Sequence, residues 1–304
     1  MQLFTEQLIN AIQLGVTLFL IASGLTLVFG IMNVINLAQG TFYMIGAFVA
    51  ATAAAVGAPF ALALIAGALA GGAFAAVLEL LLFRRLYDRD HLDQVLVTFA
   101  LILIVNELVA IVWGKSPLFF SPPRALAGSV ALLGVPYPVY RLFVIGVGIV
   151  VAVALYLLIN RTRVGMLVRA GATHRRVVEA LGVDVGRLFT FVFALGGLLA
   201  GLAGAAVGPI ISVNVGMGEQ VLIMTFVVIV IGGLGSVRGA LVAALLVAAI
   251  DTFGRAYIPP ALGALFSPST AEGLGDGLSA VAIYVFLAVV LIVRPRGLFP
   301  VATR

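Results

Sequence analysis

Apolar runs of membrane-spanning length alternate along the chain with short polar or proline-rich connectors. A hydrocarbon core about 30 Å thick takes roughly 20 apolar residues as a helix. On that measure residues 8–30, 41–57, 59–83, 93–113, 141–160, 187–209, 221–253 and 277–294 are candidate spans. The pattern predicts an all-α polytopic membrane protein, with about eight transmembrane segments packed as a single transmembrane domain over residues 1–304. No Lys or Arg precedes the first run in MQLFTEQLIN. A cleavable signal needs a basic start, so residues 8–30 read as a retained span.

Arginine placement orients the bundle. Arg84, Arg85 and Arg89 flank one connector, six arginines fill residues 161–187, and Arg294, Arg296 and Arg304 end the chain. The positive-inside rule puts all of these in the cytoplasm, the N-terminus outside and the C-terminus inside. Lys115, Arg124, Arg141 and Arg255 are left outside, and Arg238 falls within an apolar stretch. Residues 114–140 carry Pro117, Pro122, Pro123, Pro136 and Pro138 and read as an ordered external loop.

Parity then requires residues 221–253 to begin and end outside, although 33 residues are too few for two full spans. Their middle, GGLGSVRG at 232–239, is a poor helix, because glycine costs about 1 kcal/mol per interior position. Two half-helices re-entering around a glycine turn satisfy both conditions. Irregular backbone at membrane depth is tolerated inside protein or against a water-filled cavity. Gly232, Gly233, Gly235 and Ser236 are therefore candidate pathway residues. One long tilted helix is the alternative.

A second interruption, GIMNVINLAQG at 30–40, spaces Asn33, Asn36 and Gln39 by three, roughly on one helical face. Paired interrupted segments point to a transporter's binding region. A polar connector at the cytoplasmic interface would give the same residues. Glu107 lies well inside a span beside Asn106, so its carboxylate must face the bundle interior, be neutral or find a partner. It suits a pathway or proton relay, or a hydrogen bond fixing two helices. Glu79 lies near Arg84 and Arg85, and Asp251 and Arg255 have the i,i+4 spacing of a local ion pair. Gly197, Gly201, Gly204 and Gly208 mark a tight helix crossing.

Composition supports this picture and removes several function classes. The chain is 63% hydrophobic and 10% charged, against about 25% charged in soluble domains. A net charge of +5 raises nucleic acid as a partner, but the basic residues are dispersed between spans, where they set topology. There is no cysteine, and His91 and His174 lie in separate polar loops, so no metal site or catalytic residue is expected.

Residues 161–187, RTRVGMLVRAGATHRRVVEALGVDVGR, hold more than charge. Thr173 suits an N-cap and Gly182 a left-handed C-terminal position. Between them Val177, Val178 and Leu181 form an apolar edge, with Arg175, Arg176 and Glu179 elsewhere. A helix of about two turns does not persist alone in water. It is expected to dock on a cytoplasmic partner, with attraction of the basic loop to anionic membrane lipid as the alternative.

Four segments together resemble the LivH-type permease family of branched-chain amino acid ABC importers. They are GLTLVFGIMNVINLAQGTFYMIGAFVA (24–50), VRAGATHRRVVEALGVDVGRL (168–188), IVIGGLGSVRGALV (229–242) and RPRGLFP (294–300). The resemblance implies that residues 161–187 are a cytoplasmic coupling segment. Thr173, His174, Arg175, Arg176, Glu179, Ala180 and Gly182 would sit in a cleft of an ATPase. The chain has no GxxxxGK[ST] phosphate loop, so it binds no cofactor itself and ATP is used by partner subunits. Implied partners are a homologous second permease, two cytoplasmic ATPases and an external substrate-binding protein docking near residues 114–140, all at a bacterial plasma membrane. Related permeases carry leucine-like amino acids, other amino acids, or urea and short amides. An ion-coupled secondary transporter using Glu107 stands as the alternative. A membrane enzyme lacks any HExxH or nucleophile–base pair to support it.

Overall fold

Helix α1 (Gln2–Met32) is the axis of the molecule: 83% of its most apolar stretch is buried, against 17% in the helices at 139–161 and 268–293. A helix apolar on every face belongs at the centre of a bundle. The computed structural model describes residues 2–87, 89–132, 134–173, 178 and 182–299. Around α1 stand α2 (Gln39–Ala55), α3 (Phe60–Leu81), α4 (His91–Trp113), α5 (Val139–Arg161), α6 (Arg163–Thr173), α7 (Val185–Val207), α8 (Met217–Gly232), α9 (Val237–Leu262) and α10 (Pro268–Val293). Among the described residues seven helices are long and apolar enough to cross a membrane, and α2 and α8 are shorter, at 17 and 16 residues.

Glycine sets how closely these helices pack. A Cβ at Gly24 of α1 would lie 2.6 Å from the carbonyl oxygen of Gly196 in α7, and one at Gly201 of α7 would lie 2.7 Å from that of Gly67 in α3. The expected row Gly197, Gly201, Gly204 and Gly208 is thus spent on contacts with α3, α2 and the Phe120 ring. Lipid offers no hydrophobic drive for helix association, so close backbone approach supplies it.

The bundle has two distinct ends. At one, β1 (Ser129–Leu132) and β2 (Val135–Pro138) form an antiparallel hairpin with Val130 opposite Tyr137. The proline-rich loop is ordered, as expected. Tyr137 Oη donates to Asn10 Oδ1 at 2.9 Å and Arg141 Nη1 donates to the same atom at 2.7 Å, tying the hairpin to α1. Burial raises the Tyr137 pKa, and the neighbouring Arg141 pulls partly the other way.

The other end carries the arginines, and there Arg84 meets a buried carboxylate. Glu79 Oε1 accepts from Arg84 Nε at 3.3 Å and Tyr87 Oη at 2.5 Å, and its Oε2 accepts from Thr190 Oγ1 at 2.6 Å. Glu79, which the sequence sets near Arg84, pairs with it and so clamps α3, the following connector and α7. Asp251 and Arg255 form the expected i,i+4 pair at 2.9 Å, with Asp251 buried.

The stretch expected at 221–253 is larger than the apolar run suggests: α8 begins at Met217 and α9 continues to Leu262. The second member is span-length rather than a half-helix. Its extension past Phe253 holds because Arg255 is paired with Asp251 and because Pro259 and Pro260 fall in the last turn. The joining turn, with Gly233 and Gly235 at φ 98° and 83°, sits level with the C-terminal end of α1. Gly235 packs on Gly30, while Leu298 N donates to Ile231 O at 2.8 Å and Phe299 N to Gly232 O at 3.0 Å. The C-terminal RPRGLF segment thus closes over the turn.

Gly24→Ala is expected to cost about 1–3 kcal/mol through forced backbone displacement. Gly146→Ala, where an added Cβ meets nothing within 4 Å, should be neutral or stabilising. Thermal unfolding of the purified chain in detergent measures both. Arg84→Ala should lower stability by about 1–3 kcal/mol, because buried Glu79 loses a charged donor while those from Tyr87 and Thr190 remain. The same unfolding assay checks it.

Candidate functional site

The first interruption is a break in the helix rather than a helical face. α1 ends at Met32 and α2 starts at Gln39, with Asn33 in the left-handed region at φ 52°. Asn tolerates that conformation because its short polar side chain bonds locally. Asn36 Oδ1 accepts from Ala38 N at 3.0 Å, and Asn36 Nδ2 donates to Gln39 Oε1 at 3.5 Å. Gln39 Nε2 then donates to the carbonyl of Gly196 at 3.0 Å. The three-residue spacing read as a helix face is therefore that of a side-chain-capped turn. Asn36 and Gln39 are fully buried and engaged, and Asn33 is exposed.

Gly196 lies at the middle of α7, so α2 starts halfway along the bundle. A second broken helix meets it there. α7 ends at Val207, the chain turns through Gly216 at φ 88°, and α8 begins with Met217. The backbones of Gly40 and Gly218 touch so closely that a Cβ on either would clash. The partner of the first interruption is thus the turn before α8, and not residues 232–239. Each helix N-terminus carries unpaired N–H groups and about half a positive charge.

Beside this junction stands the C-terminal half of α4. Asn106 Nδ2 donates to Glu219 Oε1 in the first turn of α8. Leu37, Thr41, Met44, Ile102 and Leu222 close the cleft around them. Glu107, the next residue, does not face the interior of this chain. The buried side of α4 is Leu101, Ile102, Val105 and Val109, while Glu107 is exposed among the exposed Leu103, Ile104, Leu108 and Ile111. Among the described residues it forms no ion pair. Glu219 is exposed on the adjoining surface. Sequence reasoning missed Glu219 because it precedes the apolar run of α8 and reads as a loop residue.

Glu219 is tied to α4 through Asn106, and Glu107, the next residue of α4, is exposed among aliphatic side chains. Gly232 and Gly233 are buried at the arginine-rich end, and Gly235 and Ser236 line a separate cavity there.

Of the expected coupling residues, His174, Arg175, Arg176, Glu179 and Ala180 lie outside the described residues. Thr173 is the last described residue of α6, and the helix expected to follow it lies outside the described residues. Thr162 caps the start of α6, its Oγ1 accepting from Gly165 N at 3.1 Å. Gly182 has the left-handed φ expected of it, 83°, and Val178 is buried. Asp184 caps α7 by accepting from Arg187 N at 3.0 Å.

The chain matches the family described as branched-chain amino acid transport system / permease component over residues 7–293. It is 28% identical to the high-affinity branched-chain amino acid transport system permease BraD of Pseudomonas aeruginosa, covering 97% of this chain and 95% of that one. With the corresponding permease LivH of Escherichia coli the identity is 25% over 97% and 95%. A solved chain described as a metal-chelate type ABC transporter in an inward-facing conformation has the same fold, with a TM-score of 0.50 at 19% identity, covering 95% of this chain and 85% of that one. With its family match running from within α1 to the last residue of α10, this chain belongs to the family of permease components of branched-chain amino acid transport systems.

Proposed function

We propose that the chain forms one half of the membrane pathway of an ABC importer for branched-chain amino acids in a bacterial plasma membrane. Members of this family are transport components, so the chain is a permease and not an enzyme; ATP is hydrolysed by partner ATPase subunits. The observation that carries the pathway reading is the exposure of Glu107 well inside α4. A carboxylate facing lipid within a span costs up to about 3 kcal/mol on insertion scales, the full figure applying at the bilayer centre. A second permease covering this face removes that cost and leaves a polar seam between the two chains.

Glu107 and Glu219 then line the seam with Leu103, Ile104 and Leu108 nearby. Negative charge beside aliphatic surface suits a ligand that carries an ammonium group and a branched apolar side chain. Uncharged urea or short amides can donate N–H hydrogen bonds to a carboxylate but lack the positive charge that an ammonium group brings to it. The arginine-rich end faces the cytoplasm by the positive-inside rule, and the hairpin at 129–138 faces outward, where a binding protein delivers substrate. Residues 173–182 form the contact with the ATPase, since α6 and Asp184 fix both ends of that segment at the arginine-rich end.

Reconstitution with the second permease, both ATPases and the binding protein allows labelled leucine uptake to be followed. Glu107→Gln and Glu219→Gln together should cut ATP-driven uptake at least about tenfold, the equivalent of about 1.4 kcal/mol, while subunits still co-purify. Equal loss of urea uptake, or no loss of leucine uptake, would contradict the carboxylate role. Arg175→Glu with Arg176→Glu should abolish uptake and ATPase co-purification without lowering the unfolding temperature of the isolated chain. Uptake that survives without ATP and collapses with the proton gradient would instead favour ion coupling.

A further inference from the structure

A cavity of about 360 Å³ opens between α1, α5, α6 and α9, far from the α4–α8 junction. Its long axis runs along α1 from Gly30 to Phe19, eleven residues or roughly 16 Å of helix. That is about half the thickness of a bilayer's hydrocarbon core. The deep walls are Phe19, Leu27, Ala152 and Leu241, and the surrounding faces of α5 and α9 expose Ile149, Val150, Val153 and Leu246.

The mouth is cationic. Arg169 of α6 and Arg238 of α9 line it, and no acidic residue does. Arg238 is exposed and lies over the Tyr156 ring, 5.6 Å from its centroid. It sits in the first turn of α9, so the positive end of a 26-residue helix adds to the same rim.

An independent observation lies between rim and floor. Thr26 is fully buried and lines the cavity, and among the described residues its hydroxyl is the buried side-chain polar atom without a hydrogen-bond partner. Its neighbours on α1 are satisfied within the helix: Thr17 Oγ1 donates to Gln13 O at 3.0 Å and Ser23 Oγ to Leu20 O at 2.9 Å. A buried unpaired hydroxyl is costly unless something enters to meet it. Thr26 is one turn below Gly30, about 6 Å deeper.

We propose that this cavity binds an anionic phospholipid of the cytoplasmic leaflet. Its phosphate rests on Arg169, Arg238 and the start of α9; an ester carbonyl, which lies just below the phosphate in any glycerophospholipid, accepts from Thr26; and an acyl chain fills the floor to Phe19. Free phosphate would satisfy the rim alone and leave the apolar floor and Thr26 unmet.

Native mass spectrometry of the delipidated transporter, titrated with phosphatidylglycerol, phosphatidylcholine or inorganic phosphate, tests this. One phosphatidylglycerol per permease chain should be retained, phosphatidylcholine should bind more weakly, and phosphate should not compete. Arg238→Gln should weaken retention about fivefold, the effect expected of one arginine at an anionic lipid surface. Ala152→Phe, which fills the cavity without touching a charge, should remove the bound lipid. Detergent unfolding temperatures show that both variants are folded. Equal retention by wild type and both variants, displacement by phosphate, or a disulfide from Ala152→Cys to the second permease would each overturn the proposal.

Discussion

Everything in this bundle depends on two backbones being able to touch. α7 lies against α1, α2 and α3 at once, and each crossing has a contact of glycine on glycine: Gly196 on Gly24, Gly201 on Gly46 and Gly201 on Gly67. In water a core of large side chains would hold such helices together. In lipid those side chains gain little by leaving an equally apolar surround, so close packing between small residues must do it. The glycines at these crossings follow from that physics.

The same economy creates the candidate site. Because Gly40 and Gly218 have no side chains, the first turns of α2 and α8 can abut halfway along the bundle, where two unbroken helices would have passed one another. Breaking a helix inside a membrane leaves backbone groups unsatisfied. Here Asn36 and Gln39 take up part of that cost by capping the break and anchoring it to Gly196. Glu219 occupies the positive first turn of α8, and Asn106 fixes Glu219 from α4. Polar residues first noticed for their position in apolar runs thus divide into two kinds. Some are spent inside the chain, and others, Glu107 above all, remain turned outward.

Much of this could be read from residue order. The apolar runs placed most of the span-length helices to within a few residues, since a run of that length has few other uses. The glycine row of α7, the ion pair of Asp251 with Arg255, and the left-handed Gly182 also followed from spacing alone. Failures occurred where spacing has two meanings. Asn33, Asn36 and Gln39 have the separation of a helix face and equally that of a capped turn, and only the carbonyl of Gly196, 157 positions away, selects the turn. α9 outruns its apolar stretch because Asp251 and Arg255 neutralise each other. Helix α6 hid inside a basic segment until Thr162 was seen to cap it. Glu107 was expected to face the bundle interior, be neutral or find a partner, and within this chain its side chain is exposed.

That last point is the one to settle. The chain contains no cysteine, so Glu107→Cys introduces a single thiol. In the assembled transporter in lipid vesicles, its labelling by a charged, membrane-impermeant maleimide can be compared with labelling by an apolar one. If Glu107 lines an aqueous seam between two permeases, the charged reagent reacts from the hairpin side and added substrate with its binding protein slows it. Reaction with the apolar reagent alone, unaffected by substrate, would place α4 against lipid and contradict the pathway proposed here.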